Sequence, residues 1–235
     1  MRTDSENSGL DRVRHQLRST GVKNAVARPL LSGLHSRGYL PHVKRENAKY
    51  FITFRLGDSL PKDMLLQHES ERARQCKAML ESERAGILAE DDQESINRAF
   101  RRRIERTLDL GVGACYLGRP AIADLVANAL KFFHRRRYHL QEWVVMPNHV
   151  HAVIWPCPNH LVGDIVKSWK QFTSLRAKRL LGLAKEGFWQ RESFDHWIRD
   201  DAEYARIARY IRNNPVKAGL CARPEGWRWS GAWGG

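Results

Sequence analysis

Two histidines separated by a single apolar residue, His149 and His151, lie in an apolar stretch at residues 143–155 that is typical of a β-strand. Successive side chains of a strand point to opposite faces, so the two imidazoles are predicted to share one face and to lie close enough to hold one metal ion. Later in the chain, Tyr210 lies near the end of a predicted helix. A metal held by imidazoles beside a tyrosine hydroxyl indicates chemistry on a phosphodiester.

Two imidazoles do not complete the coordination shell of Mg²⁺ or Mn²⁺, so an oxygen ligand is expected near them. Asn214 is the local candidate, because it follows Tyr210 by one helical turn and the two side chains therefore face the same way. The alternative is that Asn214 only caps the end of the helix. Pro215 directly follows Asn214 and disfavours helical geometry there, so we expect a distorted turn.

Tyr210 is the candidate nucleophile. A free phenol titrates near pH 10 and attacks phosphate poorly until its proton is withdrawn or the phosphate is activated. Attack would form a phosphotyrosine bond and release a sugar hydroxyl, so that strands could be cut and rejoined without ATP. Two alternatives stay open: Tyr210 could be an ordinary, partly buried helix aromatic, and Tyr204, which lies off the same face, is a rival nucleophile.

The chain of 235 residues carries a formal net charge of +14, which favours a polyanionic partner such as nucleic acid or an anionic membrane surface. A merely soluble basic protein has the same property, so charge alone does not decide. Basic side chains on a helix predicted at residues 163–183 and on the tyrosine helix are candidates for contacting a nucleic-acid backbone, although a solvated helix face explains them as well. These candidates are Lys167, Lys170, Arg176, Lys178 and Arg206.

The sequence indicates a cytoplasmic protein with no membrane partner. It has no apolar run of membrane-spanning length, and its polar N-terminus lacks the apolar core of a signal peptide. The four cysteines are widely spaced and fit reduced thiols better than a disulfide framework. A small-molecule metal enzyme of the cupin type shares the His-x-His spacing, but too few strands are predicted for a double-sheet barrel, and no nucleotide-binding fingerprint is present.

The predicted elements follow the order strand, helical insertion, helix, strand, strand, helix, strand, helix. Without the insertion and the last helix, this order is βαββαβ, which predicts an α+β, ferredoxin-like antiparallel sheet with two helices on one face and the other face free to carry a site. We expect a basic, partly flexible arm at residues 1–45 and a single domain at residues 46–225. The helical insertion is placed at residues 61–110, and residues 226–235 form a tail.

Several motifs together resemble the single-tyrosine transposases. MPNHVH at residues 146–151 is similar to their HUH signature (His, bulky hydrophobic, His), and YIRNNPVKAG at residues 210–219 is similar to their tyrosine-helix motif. FWQRESFDHWIRD at residues 188–200 resembles the segment between the two. YFITFRLGDSLP at residues 50–61 resembles the first strand of the REP-associated tyrosine transposases. The resemblance runs from about residue 38 to residue 220, with the motifs in the family's order.

The resemblance implies an HUH endonuclease that cuts and rejoins single-stranded DNA beside hairpins formed by palindromic chromosomal repeats. It implies metal ligation by His149, His151 and Asn214, a divalent Mg²⁺ or Mn²⁺ cofactor, and Tyr210 as the nucleophile. A bacterial, nucleoid-associated protein is expected, acting as a monomer or a homodimer. The alternative is a binding protein for nucleic-acid hairpins that keeps the fold without cutting. Retention of both histidines and the tyrosine favours the enzyme.

Overall fold

The computed structural model describes residues 33–36, 41–44, 47–61, 64, 70, 74, 104–183 and 187–232. Its described strands form a two-stranded sheet and a four-stranded sheet, both antiparallel. The strands are β1 (Gly33–Ser36), β2 (Pro41–Lys44), β3 (Lys49–Arg55), β4 (Tyr138–Val145), β5 (His149–Pro156) and β6 (Phe194–Ile198). In the larger sheet they lie in the order β4-β5-β3-β6, so β5 and β3 are the inner strands.

The topology confirms the ferredoxin-like prediction. Helix α1 (Pro120–Phe132) connects β3 to β4, and helix α2 (Val162–Leu181) connects β5 to β6, which completes the βαββαβ order. Helix α3 (Asp201–Lys217) follows the last strand. Strands β4 and β5 form a hairpin, because the two residues between Met146 and His149 reverse the chain and the strands pair directly.

Alternation along the inner strands divides the core into two clusters. One face of the sheet, here called the back face, packs against α1 and α2 through an apolar core that includes Trp169 of α2 and Leu130 of α1. Inner-strand residues on this face are Tyr50, Ile52, Phe54, Val150, Ala152 and Ile154. The alternate residues lie on the opposite front face, where Phe51 and Val153 pack against Ile207 and Ile211 of α3.

Helix α3 begins at a well-formed cap and runs further than the sequence suggested. The Asp200 carboxylate accepts a hydrogen bond of 2.6 Å from the backbone N–H of Glu203, which is the usual contact of an N-cap aspartate. We expected Pro215 to distort the turn at Asn214, but the helix continues to Lys217. The fixed φ of proline is helical, and so close to the helix end its missing N–H removes only one backbone hydrogen bond.

Two segments before and after the βαββαβ core also form strand-like backbone pairs. Within the segment predicted as a flexible arm, β1 and β2 pair as a short hairpin. Near the C-terminus, Val145 N–H donates to the carbonyl of Trp229, and Gly231 N–H donates to the carbonyl of Trp143. This part of the predicted tail therefore covers the outer edge of β4, which would otherwise expose unpaired backbone groups.

Most of the predicted helical insertion at residues 61–110 and most of the predicted arm at residues 1–45 lie outside the described residues. Residues 104–109, at the end of the insertion, are helical. The division into a domain at residues 46–225 with flanking segments stays a prediction. Within the described part of the chain, no helix combines the length and apolar character needed to cross a membrane.

Candidate active site

The two histidines share the front face of the sheet, as their spacing predicts. In the β3–β5 register, His151 lies opposite Thr53 and His149 lies opposite Arg55. The ring centroids of His149 and His151 are 4.6 Å apart. The two side chains are only 1% and 0% exposed, respectively, so both imidazoles belong to the interior beneath α3.

The hydroxyl of Tyr210 reaches the histidine pair. Its Oη lies 3.2 Å from Nε2 of His151, and the two ring centroids are 5.2 Å apart. The Tyr210 ring also meets Phe51 edge-on at 6.3 Å, so packing on the front face holds the ring in place. Tyr210 is half-buried, which makes it the member of this group that reaches solvent.

Asn214 lies inside α3 and does not cap it, since the C-cap residue is Ala218. Its side chain is 1% exposed and lies one turn beyond Tyr210 on the buried side of the helix. Among the described residues, neither its Oδ1 nor its Nδ2 has a hydrogen-bond partner, and the same holds for Nε2 of His149. Buried polar atoms are almost always paired, so these unpaired atoms need an explanation.

A metal ion fits this donor set. No cluster of three or more His, Cys, Asp or Glu side chains suited to a metal occurs within the described ranges. The candidate ligands predicted from the sequence are the Nε2 atoms of His149 and His151 with the amide oxygen of Asn214. A divalent cation would satisfy two of the buried atoms that lack partners, namely His149 Nε2 and Asn214 Oδ1.

The opposite ring nitrogens of both histidines are held by hydrogen bonds. Nδ1 of His149 lies 2.7 Å from the side-chain oxygen of Asn148, and Nδ1 of His151 lies 2.8 Å from the hydroxyl of Thr53. Such outer contacts fix ring orientation in metal sites. Burial, followed by the positive charge of Arg55, lowers the pKa of His149 to about 3, so this imidazole is neutral at physiological pH.

Two ion pairs secure the tyrosine helix. Arg212 of α3 makes a two-pronged contact with Glu142 of β4, whose carboxylate is 5% exposed, and Nε donates at 2.9 Å. Lys217, at the end of α3, pairs with Asp109 in the helical segment that ends the insertion. Because Glu142 is buried and Asp109 is partly buried, both contacts constrain where Tyr210 can lie relative to the sheet.

The rival Tyr204 occupies a different environment. It is partly buried against the front-face cluster, and the ammonium of Lys49 lies 4.5 Å from the centre of its ring. Burial, followed by the negative charge of Glu142, raises the pKa of Tyr204. A raised pKa disfavours the phenolate that a nucleophile needs, so this environment suits a packing role.

The five basic candidates fall into three environments. Lys167 and Arg176 are exposed on α2, with Lys178 partly exposed beside them, and α2 packs on the back face, away from the histidines. Lys170 of the same helix donates to the carbonyls of Gln190 and Arg191 at 2.6 and 2.8 Å. Burial, opposed in part by Glu192, lowers the pKa of Lys170 to about 8. Arg206 is exposed on α3, one turn before Tyr210.

Sequence reasoning missed three residues that support the site. Asn148 lies in the turn between β4 and β5, and its place directly before His149 was a usable signal. Thr53 and Glu142 belong to other strands, and their contacts with the site arise only when the sheet forms. A threonine among aromatic and aliphatic residues on β3 carries no local signal for a histidine partner.

A ferredoxin-like sheet with a His-x-His pair facing a tyrosine on a following helix defines a single-tyrosine class of site. Residues 122–214 match the family model described as "Transposase IS200 like", and this range includes both histidines, Tyr210 and Asn214. The resemblance to single-tyrosine transposases is therefore confirmed over these residues.

Two curated relatives have descriptions that name REP-associated tyrosine transposases. The chain is 32% identical over 105 residues to the REP-associated tyrosine transposase of Escherichia coli K12, covering 43% of this chain and 58% of the relative. It is 28% identical over 99 residues to a putative REP-associated tyrosine transposase of Haemophilus influenzae, covering 37% of this chain and 54% of the relative. The matched region thus spans a little over half the length of these relatives.

A solved structure with a related description also matches. It is the "Structure of the REP associates tyrosine transposase bound to a REP hairpin", with a TM-score of 0.45 and 17% sequence identity, covering 84% of this chain and 81% of that chain.

Proposed function

We propose that this protein is a metal-dependent single-stranded DNA endonuclease and strand transferase that acts through a phosphotyrosine intermediate on Tyr210. The observation that carries the proposal is the distance of 3.2 Å between the Tyr210 hydroxyl and Nε2 of His151, within a pair of buried histidines. A phenol, two buried imidazoles and a buried amide one helical turn from the phenol are groups suited to phosphoryl transfer.

His149, His151 and Asn214 would hold a divalent metal, for which Mg²⁺ and Mn²⁺ are the proposed ions. When bound, the ion acts as a Lewis acid that offsets the negative charge building on the scissile phosphate. Thr53 and Asn148 keep the two imidazoles oriented through their Nδ1 atoms.

Tyr210 supplies the covalent chemistry. Its Oη loses its proton, attacks the phosphorus and forms a tyrosyl phosphodiester, while the bond from phosphorus to the leaving sugar oxygen breaks and that oxygen takes up one proton, so the exchange is balanced. The total number of phosphodiester bonds is unchanged, so a sugar hydroxyl can attack the phosphotyrosine and restore a DNA strand. No nucleotide cofactor is required for either half of this exchange.

We propose hairpins formed by palindromic repeats, with flanking single strands, as the substrate. The proposal draws on the similarity to the REP-associated transposases over the matched region and on the net charge of +14. Lys167, Arg176 and Lys178 on α2 and Arg206 on α3 are the proposed backbone contacts, whereas Lys170 is already engaged by two carbonyls.

The test uses the full chain and a labelled DNA hairpin that carries a single-stranded flank. We expect a denaturation-resistant protein–DNA adduct with Mn²⁺ or Mg²⁺, and its loss when the metal is chelated. Binding of the hairpin without any adduct, at every flank sequence tried and with either metal, would instead indicate a binding protein that does not cut.

A further inference from the structure

The Nδ1 atoms of the two histidines have different kinds of hydrogen-bond partner. His151 is supported by a hydroxyl, which can either donate or accept a hydrogen bond, so Thr53 does not by itself choose the tautomer of that ring. His149 is supported by the side-chain oxygen of Asn148, and Asn148 is itself 1% exposed. A buried amide can impose a tautomer if its own orientation is fixed.

The orientation of Asn148 is fixed by two backbone carbonyls. Its side-chain nitrogen lies 3.1 Å from the carbonyl of Leu108 and 3.3 Å from the carbonyl of Val112. Carbonyl oxygens only accept hydrogen bonds, so the NH₂ end of the amide must point at them and the oxygen must point at His149. That oxygen also only accepts, so the proton of the neutral imidazole must be on Nδ1.

We propose that Asn148 is a positioning residue that locks His149 in the Nδ1–H tautomer and thereby presents the Nε2 lone pair to the metal. Nε2 is the atom that is buried without a partner among the described residues. The opposite tautomer would place a proton on Nε2 and aim Nδ1 and the Asn148 oxygen at each other as two acceptors. This inference rests on the proposed function for its purpose, but the tautomer itself is a property of the metal-free protein.

The segment that ends the helical insertion holds this amide in place. Leu108 lies near the end of the insertion and Val112 just after it, and the backbone N–H of Ala114 donates to the Asp58 carboxylate at 2.7 Å. Gly113 has φ of +96° and packs so closely that a Cβ there would lie 2.6 Å from the carbonyl oxygen of Asp58. Residues 108–114 are therefore held against Asp58, which follows β3. Through Leu108, the end of the insertion helps to orient Asn148 at the active site.

The first test measures the tautomer directly. Long-range ¹H–¹⁵N NMR of the metal-free protein separates protonated from unprotonated ring nitrogens, and His149→Gln identifies the His149 signals among the ten histidines. We expect a single Nδ1–H tautomer for His149 at neutral pH. A proton found on Nε2, or an even mixture of tautomers, would overturn the proposal whether or not the protein cuts DNA.

Two variants separate positioning from packing. Asn148→Asp keeps an accepting oxygen beside His149 but loses the two N–H donors, so it should retain the Nδ1–H tautomer and keep Mn²⁺ affinity within a few-fold. Asn148→Ala loses the acceptor, so it should release the tautomer and weaken Mn²⁺ binding about 10- to 100-fold, as lost outer partners do. The exposed Asn213→Ala is the matched control.

Equal loss of Mn²⁺ affinity in the Asp and Ala variants, in step with their thermal stability, would mean that Asn148 only packs. Retention of wild-type affinity in a folded Asn148→Ala protein would likewise overturn the proposal. If the tautomer and affinity behave as expected while no DNA adduct forms, the positioning role stands and the proposed DNA cleavage fails separately.

Discussion

The two faces of the sheet use the same strands for different purposes. On the back face, the inner strands present a continuous apolar surface to α1 and α2, with Ile52, Ala152 and Ile154 fully buried. On the front face, one residue along each strand, Thr53 and His151 occur among apolar neighbours, where Thr53 contacts His151 and His151 contacts the Tyr210 hydroxyl. Residues that stabilise the fold therefore alternate along each inner strand with residues proposed to support catalysis. Substitutions at adjacent positions should affect different properties, namely stability on the back face and cleavage on the front face.

The largest effect is expected at the front face from Tyr210→Phe. Removing the hydroxyl should reduce covalent adduct formation by at least about 1,000-fold, because no other group replaces the nucleophile. Hairpin binding and thermal stability should change little, since the ring keeps its contact with Phe51. Gel analysis of adducts with labelled DNA is the measurement. Tyr204→Phe is the matched control, and an undiminished adduct in Tyr210→Phe would transfer the nucleophile role to Tyr204.

The next largest effects on cleavage are expected from substitutions of the two histidines. His149→Ala or His151→Ala removes a proposed metal ligand, which should lower metal-dependent cleavage by more than about 100-fold, beyond the cost of losing an outer partner. Cleavage rates at increasing Mn²⁺ provide the readout. His139 is exposed near the start of β4, and His139→Ala is the control variant. Cleavage that persists in chelator-treated wild-type protein would contradict the proposed metal dependence of cleavage.

Adjacent residues of β3 give the sharpest contrast between the faces. Ile52→Ala should lower the free energy of unfolding by about 2–5 kcal/mol and leave cleavage by the folded fraction near wild type. Thr53→Val has nearly the same shape but loses the hydrogen bond to His151, so it should cost about 10- to 100-fold in cleavage with little change in stability. Urea unfolding and cleavage assays on both variants check the pair. A loss of stability in Thr53→Val, with a loss of cleavage alone in Ile52→Ala, would contradict this difference between the two faces.

Acid should lower the free energy of unfolding of the metal-free protein through His149 on the front face. The folded-state pKa of His149 is about 3, below the ordinary value of 6.5, because burial and Arg55 disfavour the charged ring. The neutral ring therefore supports folding above about pH 6.5, and that contribution is lost as pH falls toward 3, at up to about 1.4 kcal/mol per pH unit. Urea unfolding between pH 7 and pH 5 should show this slope in wild type and a smaller one in His149→Gln. Identical slopes would mean that other groups control the acid response.

The smallest effects are expected from the exposed cations of α2. Lys167→Ala should weaken binding to a single-stranded oligonucleotide a few-fold and reduce the salt dependence of log K by about 0.7. Lys170→Ala, on the same helix, should instead lower thermal stability, because its ammonium holds the carbonyls of Gln190 and Arg191. Titrations at several salt concentrations distinguish the two. An unchanged salt slope in Lys167→Ala would place the DNA elsewhere.

Local periodicity was sufficient to predict the main geometry of the site. The period of two along a strand predicted that His149 and His151 share a face, and the sheet register confirms it. The helical period placed Asn214 beside Tyr210, whose hydroxyl does reach the histidine pair. The βαββαβ order followed from the alternation of strand and helix patterns, and the observed strand order confirms it.

The supporting contacts could not be predicted in the same way, because they join distant parts of the chain. Asn148 is oriented by carbonyls of a segment about 40 positions earlier, and Glu142 meets Arg212 across a separation of 70. Neither local spacing nor residue type specifies such pairs before the sheet and α3 come together. The helix through Pro215 was missed for the opposite reason, since a local rule was applied where the last turn tolerates an exception.

The most direct test is to locate the nucleotide on the protein. After reaction of wild-type protein with a hairpin carrying a single-stranded flank, protease digestion and tandem mass spectrometry should find a nucleotide phosphate on the peptide that contains Tyr210, attached to that residue. Attachment to Tyr204 or to any other side chain would contradict the convergence of Tyr210 with the histidine pair as the basis of catalysis.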